Sequence, residues 1–214
     1  MKIFRLFSAF LVAFGISSMM MSCENNDDVN IEENAYDPEN PNIPKISFVT
    51  NESTATEFTF WLKSSQNIAV DWGDYQKTTY QISNPNGEII KGNLVRQLVK
   101  IYVNSGKSIT TLNLEKRALK QLDIQNAIGL ENLMLENNKL SSLDISKNTN
   151  LEFLDLGENK FKTEDLDNVL KSLPNRNTKT PGEIIIGDGA DGNERPSAEA
   201  ITFAKNMNWK VNQD

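Results

Sequence analysis

The sequence contains no histidine and a single cysteine, Cys23, and these two absences remove several classes of chemistry. Without histidine there is no Ser–His or Cys–His pair to activate a nucleophile, and the usual His/Cys zinc sites cannot form. One cysteine cannot form an internal disulfide, so a disulfide framework is excluded. We therefore expect no enzyme and no cofactor. The catalytic alternative that remains is a carboxylate pair of the kind that hydrolyses glycosides.

Positive charge is also scarce, with 22 Lys and Arg residues against 29 Asp and Glu residues and a formal net charge of −7. Nucleic-acid binding demands clustered Lys and Arg, so no nucleic-acid partner is expected. Long apolar runs are missing as well. Only a short one lies near the N-terminus, and nothing after it is long enough for a membrane span.

That short run has the layout of a secretory signal. Lys2 and Arg5 give a positive start, and residues 6–16 are mostly apolar. The run is too short to span a bilayer comfortably, so residues 1–22 are predicted to be a signal peptide. The position of Cys23 resembles the lipobox of bacterial lipoproteins, although Met20 and Met21 stand where a leucine and a small residue are more usual. The resemblance implies lipidation of the Cys23 thiol and cleavage before it; an ordinary signal peptide with an incidental cysteine is the alternative.

Residues 23–44 are predicted to be a disordered tether. They hold seven acidic residues and no basic one, and such a segment buries too little apolar surface to order itself. Acidic residues directly behind a lipidated cysteine resemble the export signal of surface lipoproteins in some Gram-negative anaerobes. The resemblance implies an outer-membrane anchor through several acyl chains, facing outward. The periplasmic face is the alternative.

A repeat occupies the middle of the chain. Five apolar pairs are spaced 10, 11, 10 and 11 residues apart, which makes a 21-residue unit. The pairs are Leu112/Leu114, Leu122/Ile124, Leu133/Leu135, Leu143/Ile145 and Leu154/Leu156. Asn138, Asn148 and Asn159 each follow three residues later and are suited to bond the backbone of neighbouring coils. Arg117 and Ala127 replace this Asn in the first two pairs. A fixed period of this size predicts a solenoid.

The pattern L-x-x-L-x-[LI]-x-x-N resembles the leucine-rich-repeat family in its short form, over residues 109–159. The resemblance implies a short solenoid over residues 107–160 whose faces bind ligands rather than catalyse reactions. Large apolar groups at outward positions favour one face as a binding site. Its candidate residues are Asn113, Asn132, Met134, Phe153 and Asp155. On the opposite face, Asp123 and Asp144 are interpreted as a solvated acidic surface, with a cation site as the alternative.

Residues 45–106 precede the repeat and are predicted to form a β-sandwich-like module. Strands are predicted near 45–49, 57–63, 67–72, 77–82 and 95–103, from β-branched and aromatic runs between turn signals. Asp71-Trp72-Gly73-Asp74 resembles the turn of PKD-like modules found beside leucine-rich repeats. Asp71 and Asp74 are weak metal candidates; the favoured interpretation is a turn with self-capping carboxylates.

Residues 161–214 are predicted to form an α/β cap. Thr163 begins a capping-box-like helix start, and apolar residues then follow at helical spacing up to Pro174. A strand at 183–186, a helix at 197–206 and a strand at 209–211 are also predicted. Asp188 and Asp191 lie in a Gly/Asp loop and are weak calcium candidates, because the EF-hand spacing is absent.

The predicted fold class is thus mixed and β-rich: a short leucine-rich-repeat solenoid with an N-terminal β module and a C-terminal α/β cap. The whole resembles leucine-rich-repeat surface lipoproteins of Gram-negative anaerobes. The predicted function is non-catalytic binding of a protein or a glycan. The alternatives are an accessory subunit of an outer-membrane complex and, more weakly, a carboxylate-based hydrolase. A glycan site would need exposed aromatic residues arranged as a platform, and five are candidates: Trp61, Trp72, Tyr75, Tyr80 and Phe153.

Overall fold

The computed structural model describes residues 36–187, 189 and 192–213. The predicted signal peptide, Cys23 and most of the predicted tether lie outside the described residues, and so do the calcium candidates Asp188 and Asp191. Within the described part, neither of the two helices is long and apolar enough to cross a membrane.

Twelve strands and two helices make up the described part of the chain. In chain order they are β1 Ile46–Thr50, β2 Glu57–Ser64, β3 Ile68–Asp71, β4 Thr78–Tyr80, β5 Glu88–Asn93, β6 Leu98–Tyr102, β7 Ile109–Asn113, β8 Leu119–Asp123, β9 Asn132–Met134, β10 Phe153–Asp155, α1 Thr163–Ser172, β11 Gly182–Ile185, α2 Ala198–Asn206 and β12 Trp209–Asn212.

These strands form two sheets. The five-stranded sheet has the order β4-β3-β6-β1-β8, and the seven-stranded sheet has the order β12-β11-β10-β9-β7-β2-β5. Each sheet therefore joins strands from before the repeat to the repeat itself, which supplies β8 to the five-stranded sheet and β7, β9 and β10 to the seven-stranded sheet. Alternate side chains of both sheets enter one hydrophobic core, as the period-2 geometry of a strand requires.

This architecture corrects the predicted fold class: the protein is a β-rich domain with two multi-stranded sheets and two short helices, and the predicted solenoid is wrong. The repeat strands are built into sheets shared with the N-terminal strands. β7 pairs antiparallel with β2, and β8 pairs antiparallel with β1. The physical reason is that an edge strand leaves unpaired N–H and C=O groups, which the N-terminal strands satisfy. The leucine spacing indicates which side chains enter the core. It does not indicate which strand pairs with the edge of the repeat.

Five consecutive strands of the seven-stranded sheet are parallel, from β7 through β9, β10 and β11 to β12. Thr111 pairs with Asn132, and Asn132 pairs with Phe153, so each of these two steps advances the chain by 21 residues. The fourth apolar pair, Leu143/Ile145, forms no strand. The five-stranded sheet consequently ends at β8.

The core of the N-terminal part is aromatic. Phe48 stacks on Phe58 with ring centroids 5.6 Å apart, and Phe60 meets Trp72 at 5.8 Å. Trp72 is 4% exposed, and its indole N–H donates to the phenol oxygen of Tyr80 at 3.0 Å. Such ring pairs contribute beyond their buried area, by about 0.5–1.5 kcal/mol each. This cluster fixes β2 and β3 on either side of the core.

The C-terminal part contains the predicted helices and strands, with one detail corrected. α1 begins at Thr163, but the capping-box prediction is wrong: the N-cap residue Lys162 makes no side-chain cap bond, and the Glu194 carboxylate accepts the N–H of Thr163 at 2.9 Å. The Thr163 hydroxyl instead donates to the Glu194 carboxylate and to the Arg195 carbonyl, at 3.0 and 2.9 Å. α2 is capped by Ser197, whose hydroxyl accepts the N–H of Ala200. Hydrogen bonds to residues far along the same chain therefore replace the local cap of α1.

Candidate binding face of the seven-stranded sheet

The seven-stranded sheet turns one set of side chains into the core and the alternate set away from it. Leu112, Leu133, Leu154 and Ile184 stand at matching positions in β7, β9, β10 and β11, and each is 0% exposed. Their chain neighbours point to the opposite side of the sheet, because successive residues of a strand alternate. Those neighbours, with Trp61 of β2 that pairs with Asn113, define the outer face: Trp61, Thr111, Asn113, Asn132, Met134, Phe153, Asp155, Glu183 and Ile185.

The structure brings all five sequence-predicted residues together on this outer face. Asn113, Met134 and Asp155 are direct partners in one row, and Asn132 and Phe153 are partners in the next row. All five are partly exposed. The amide of Asn113 donates a weak hydrogen bond to the Met134 sulfur at 3.7 Å.

The outer-face residues that were not predicted for this site include Ile185 and Trp61, and the sequence analysis named Trp61 only as a candidate for a glycan platform. Trp61 of β2 pairs with Asn113, and Ile185 of β11 pairs with Asp155, so both extend the first row. Neighbouring strands lie about 4.8 Å apart, so the row from Trp61 to Ile185 spans roughly 19 Å. The alternation Phe58, Phe60, Leu62 in β2 is a sequence signal that places Trp61 outward. Its position beside Asn113 depends on strand pairing, which that signal does not contain.

Three carboxylates converge at the end of this face. Ligand oxygens of Glu115, Glu136 and Asp155 lie within 4.8 Å of one another, and each residue is partly exposed. The pKa of Asp155 is raised, first because burial disfavours its charged form and then because Glu136, Glu115 and Glu158 repel it; the N–H of Gly157 opposes this shift. Oxygen donors of this kind suit a hard cation or a basic group. The outer face is therefore negatively charged beside its apolar centre.

The metal candidates of the N-terminal module have their carboxylates engaged within their own turn. One oxygen of Asp71 accepts the N–H groups of Gly73 and Tyr75 at 2.8 and 3.0 Å, and Asp74 accepts the N–H of Gln76 at 3.0 Å. Gly73 has φ +94°, a conformation that disfavours residues with a Cβ atom. This geometry accounts for the motif as a capped turn.

The five candidate aromatic residues do not form one platform. Trp72 lies in the core, and Tyr80 is bonded to it through its phenol oxygen. Tyr75 is 71% exposed and lies against Arg96, 4.7 Å from ring centroid to guanidinium carbon. Trp61 and Phe153 share the outer face but stand three strands apart, about 14 Å at the usual spacing. These five residues therefore do not form the aromatic platform that was considered for a glycan site.

The sequence matches no protein-family model and no curated protein. The resemblance to leucine-rich-repeat lipoproteins therefore rests on the repeat motif and the N-terminal residues quoted above, and it stays a prediction.

Proposed function

We propose that this protein is a non-catalytic lipoprotein of the outer membrane, related to the leucine-rich-repeat surface lipoproteins, that binds a protein partner through the outer face. Cys23 is its lipid-bearing residue and the tether carries the domain away from the bilayer. The signal-like N-terminus and the acidic residues behind Cys23 support this location.

The observation that carries the binding proposal is the row Trp61, Asn113, Met134, Asp155 and Ile185, with Phe153 beside it. Aromatic residues and Met are enriched in protein interfaces, and a few such anchors usually supply most of the binding energy. A sheet presents these residues on a rigid backbone, so little entropy is lost when a partner binds.

The scattered aromatic residues favour a protein partner over a glycan. The same outer face would serve an accessory subunit of a surface complex, since subunit assembly uses the same kind of apolar contact. In both cases the partner has an apolar centre that meets Met134 and Phe153, and basic groups that meet Glu115, Glu136 and Asp155.

The test is affinity capture from the surface of intact cells, after crosslinking, with the double variant Met134→Ser/Phe153→Ser. We expect the variant to lose at least tenfold of the captured partner, because two central anchors are removed. The matched control is Val95→Ser/Phe203→Ser, which also replaces one aliphatic and one aromatic group. Val95 and Phe203 are 51% and 37% exposed and lie off the outer face.

Wild-type capture by the Met134/Phe153 variant, with an unchanged urea midpoint, would refute the outer face as the binding site. Equal loss from both double variants would refute it too, since the effect would then be general. The cell-surface location has its own readout: protease added to intact cells should cleave the wild-type protein and leave periplasmic proteins uncut.

A further inference from the structure

A groove lies on a different side of the molecule from the outer face. It has a volume of about 370 Å³ and is lined by β8, by the segment around the fourth apolar pair and by the first turns of α1. This volume falls within the range of about 300–1,000 Å³ that is usual for ligand sites. None of the outer-face residues lines the groove.

Two leucines of the repeat are uncovered here. Leu122 and Leu143 line the groove and are partly exposed, whereas every other Leu or Ile of the five apolar pairs is 0–1% exposed. The cause is the end of the five-stranded sheet at β8: the fourth pair forms no strand, and α1 follows in place of another strand. The groove therefore offers an apolar contact that the fold itself leaves incomplete.

The charged residues that line the groove are all acidic. Asp123, Asp144 and Asp165 follow one another at 21-residue intervals, and none of the described residues that line the groove is a Lys or an Arg. Burial raises the pKa of Asp144, but hydrogen bonds from Ser146 and Gln125 and the charge of Lys147 outweigh it and hold the pKa below its ordinary value. These interactions of Asp144 therefore favour its charged form.

The spacing of the three aspartates suits an extended organic cation. Among the described residues, the one group of three carboxylates whose oxygens meet within 4.8 Å is Glu115, Glu136 and Asp155, so the groove aspartates are too dispersed for a single metal ion. Within the part of the chain that the structure describes, no aromatic side chain lines the groove, so ring stacking with a sugar is not offered there. An aliphatic stem with a positive end fits both the leucines and the aspartates.

We propose that this groove is a second binding site, which takes a peptide segment of another protein that presents an arginine or lysine beside an aliphatic residue. Leu122 and Leu143 contact the aliphatic groups, and Asp123, Asp144 and Asp165 bind the cation. Because the site does not overlap the outer face, it adds a second contact to the proposed function and stands or falls independently of it.

The test is a titration of the ¹⁵N-labelled protein with the peptide acetyl-Gly-Leu-Arg-Leu-Gly-amide, followed by amide chemical shifts. We expect shifts confined to residues near Leu122, Leu143 and Asp165. The same peptide with citrulline in place of arginine keeps the shape and loses the charge. It should bind at least tenfold more weakly. Replacing both peptide leucines with alanine should also weaken binding, because the apolar contact is lost.

Asp144→Asn/Asp165→Asn removes two charges and keeps the side-chain shape. It should weaken binding about tenfold, since each partly exposed ion pair contributes about threefold. The matched control is Glu164→Gln. Glu164 also lies in the first turn of α1 but does not line the groove, so the Glu164→Gln variant should bind the peptide with wild-type affinity. Equal binding of the arginine and citrulline peptides, or shifts outside the groove, would overturn the proposal. So would an absence of shifts at millimolar peptide.

Discussion

Asn138 shows how much a single buried residue contributes to this fold. Its side-chain oxygen accepts the N–H groups of Arg117 and Leu119 at 3.1 and 2.9 Å, and its amide donates to the carbonyls of Leu114 and Leu135 at 2.8 and 2.9 Å. We expect Asn138→Ala to lower the free energy of unfolding by about 3 kcal/mol, because buried backbone groups lose their partners. Urea unfolding measures this change, provided that the slope of the unfolding free energy against urea concentration stays the same.

Asn148 is the matched comparison for that prediction. It is 0% exposed and its amide donates to the carbonyls of Ile124 and Ala127, but no donor among the described residues reaches its oxygen. Asn148→Ala removes fewer bonds and also removes an unsatisfied oxygen, so it should cost clearly less than Asn138→Ala. An equal or larger cost for Asn148→Ala would show that accepted hydrogen bonds do not set the ranking.

The period of the asparagines was enough to predict buried backbone contacts at Asn138, Asn148 and Asn159. It was not enough for Asn193, which is 3% exposed and accepts the N–H of Phe161 at 2.9 Å while donating to the carbonyl of Leu156 at 2.7 Å. Asn193 performs the same role from outside the repeat. Only the folding of the C-terminal part brings it there, so no spacing rule in the sequence identifies it.

At the scale of elements, Arg176 joins the segment after α1 to the start of β10. Its side chain is 1% exposed, and its guanidinium donates to the carbonyls of Leu151 and Thr180 at 3.0 Å each and to the Glu152 carboxylate at 2.9 Å. We expect Arg176→Lys to lower the free energy of unfolding by about 3 kcal/mol, because an ammonium cannot reproduce the planar fork and leaves a buried charge poorly bonded. Thermal or urea unfolding checks this.

Glu152→Gln is the control for Arg176. The Glu152 side chain is 50% exposed, so this half of the ion pair should contribute less than about 1 kcal/mol. If Glu152→Gln were as costly as Arg176→Lys, the salt bridge rather than the backbone contacts would be the main interaction. If both variants matched the wild type, Arg176 would not join these elements.

Elements with a strong local pattern were predictable, and elements that depend on a distant partner were not. The helices and most strands follow apolar periodicity. β5 was missed because Ile89 and Ile90 are adjacent, with Ile89 62% and Ile90 1% exposed, and because Gly92 interrupts the run. A Cβ atom at Gly92 would meet the Trp72 ring at 2.0 Å, so the core requires this glycine in the strand. The groove was missed for the opposite reason: Leu143 matches the repeat but forms no strand.

At the scale of the whole molecule, the two sheets make the N-terminal strands and the repeat mutually dependent. Without residues before the predicted boundary at 106, β7 would lose its pairing with β2, and β8 would lose its pairing with β1. The leucines of the repeat would also lose Phe48 and Phe58 from the hydrophobic core that they share. A repeat that ended in a self-contained cap would have no such dependence.

We therefore expect the chain to unfold in one cooperative transition, and a fragment of residues 107–214 to lack a cooperative transition, with a fragment of residues 36–214 as the folded control. Single domains of this size are usually two-state, because separating elements that share a core exposes apolar surface on both. Urea-dependent hydrogen exchange tests the same point within the intact chain: amides of β1 and β10 should converge on one free energy of opening. A sharp melting transition in the 107–214 fragment, or distinct opening energies for β1 and β10, would mean that the repeat folds on its own.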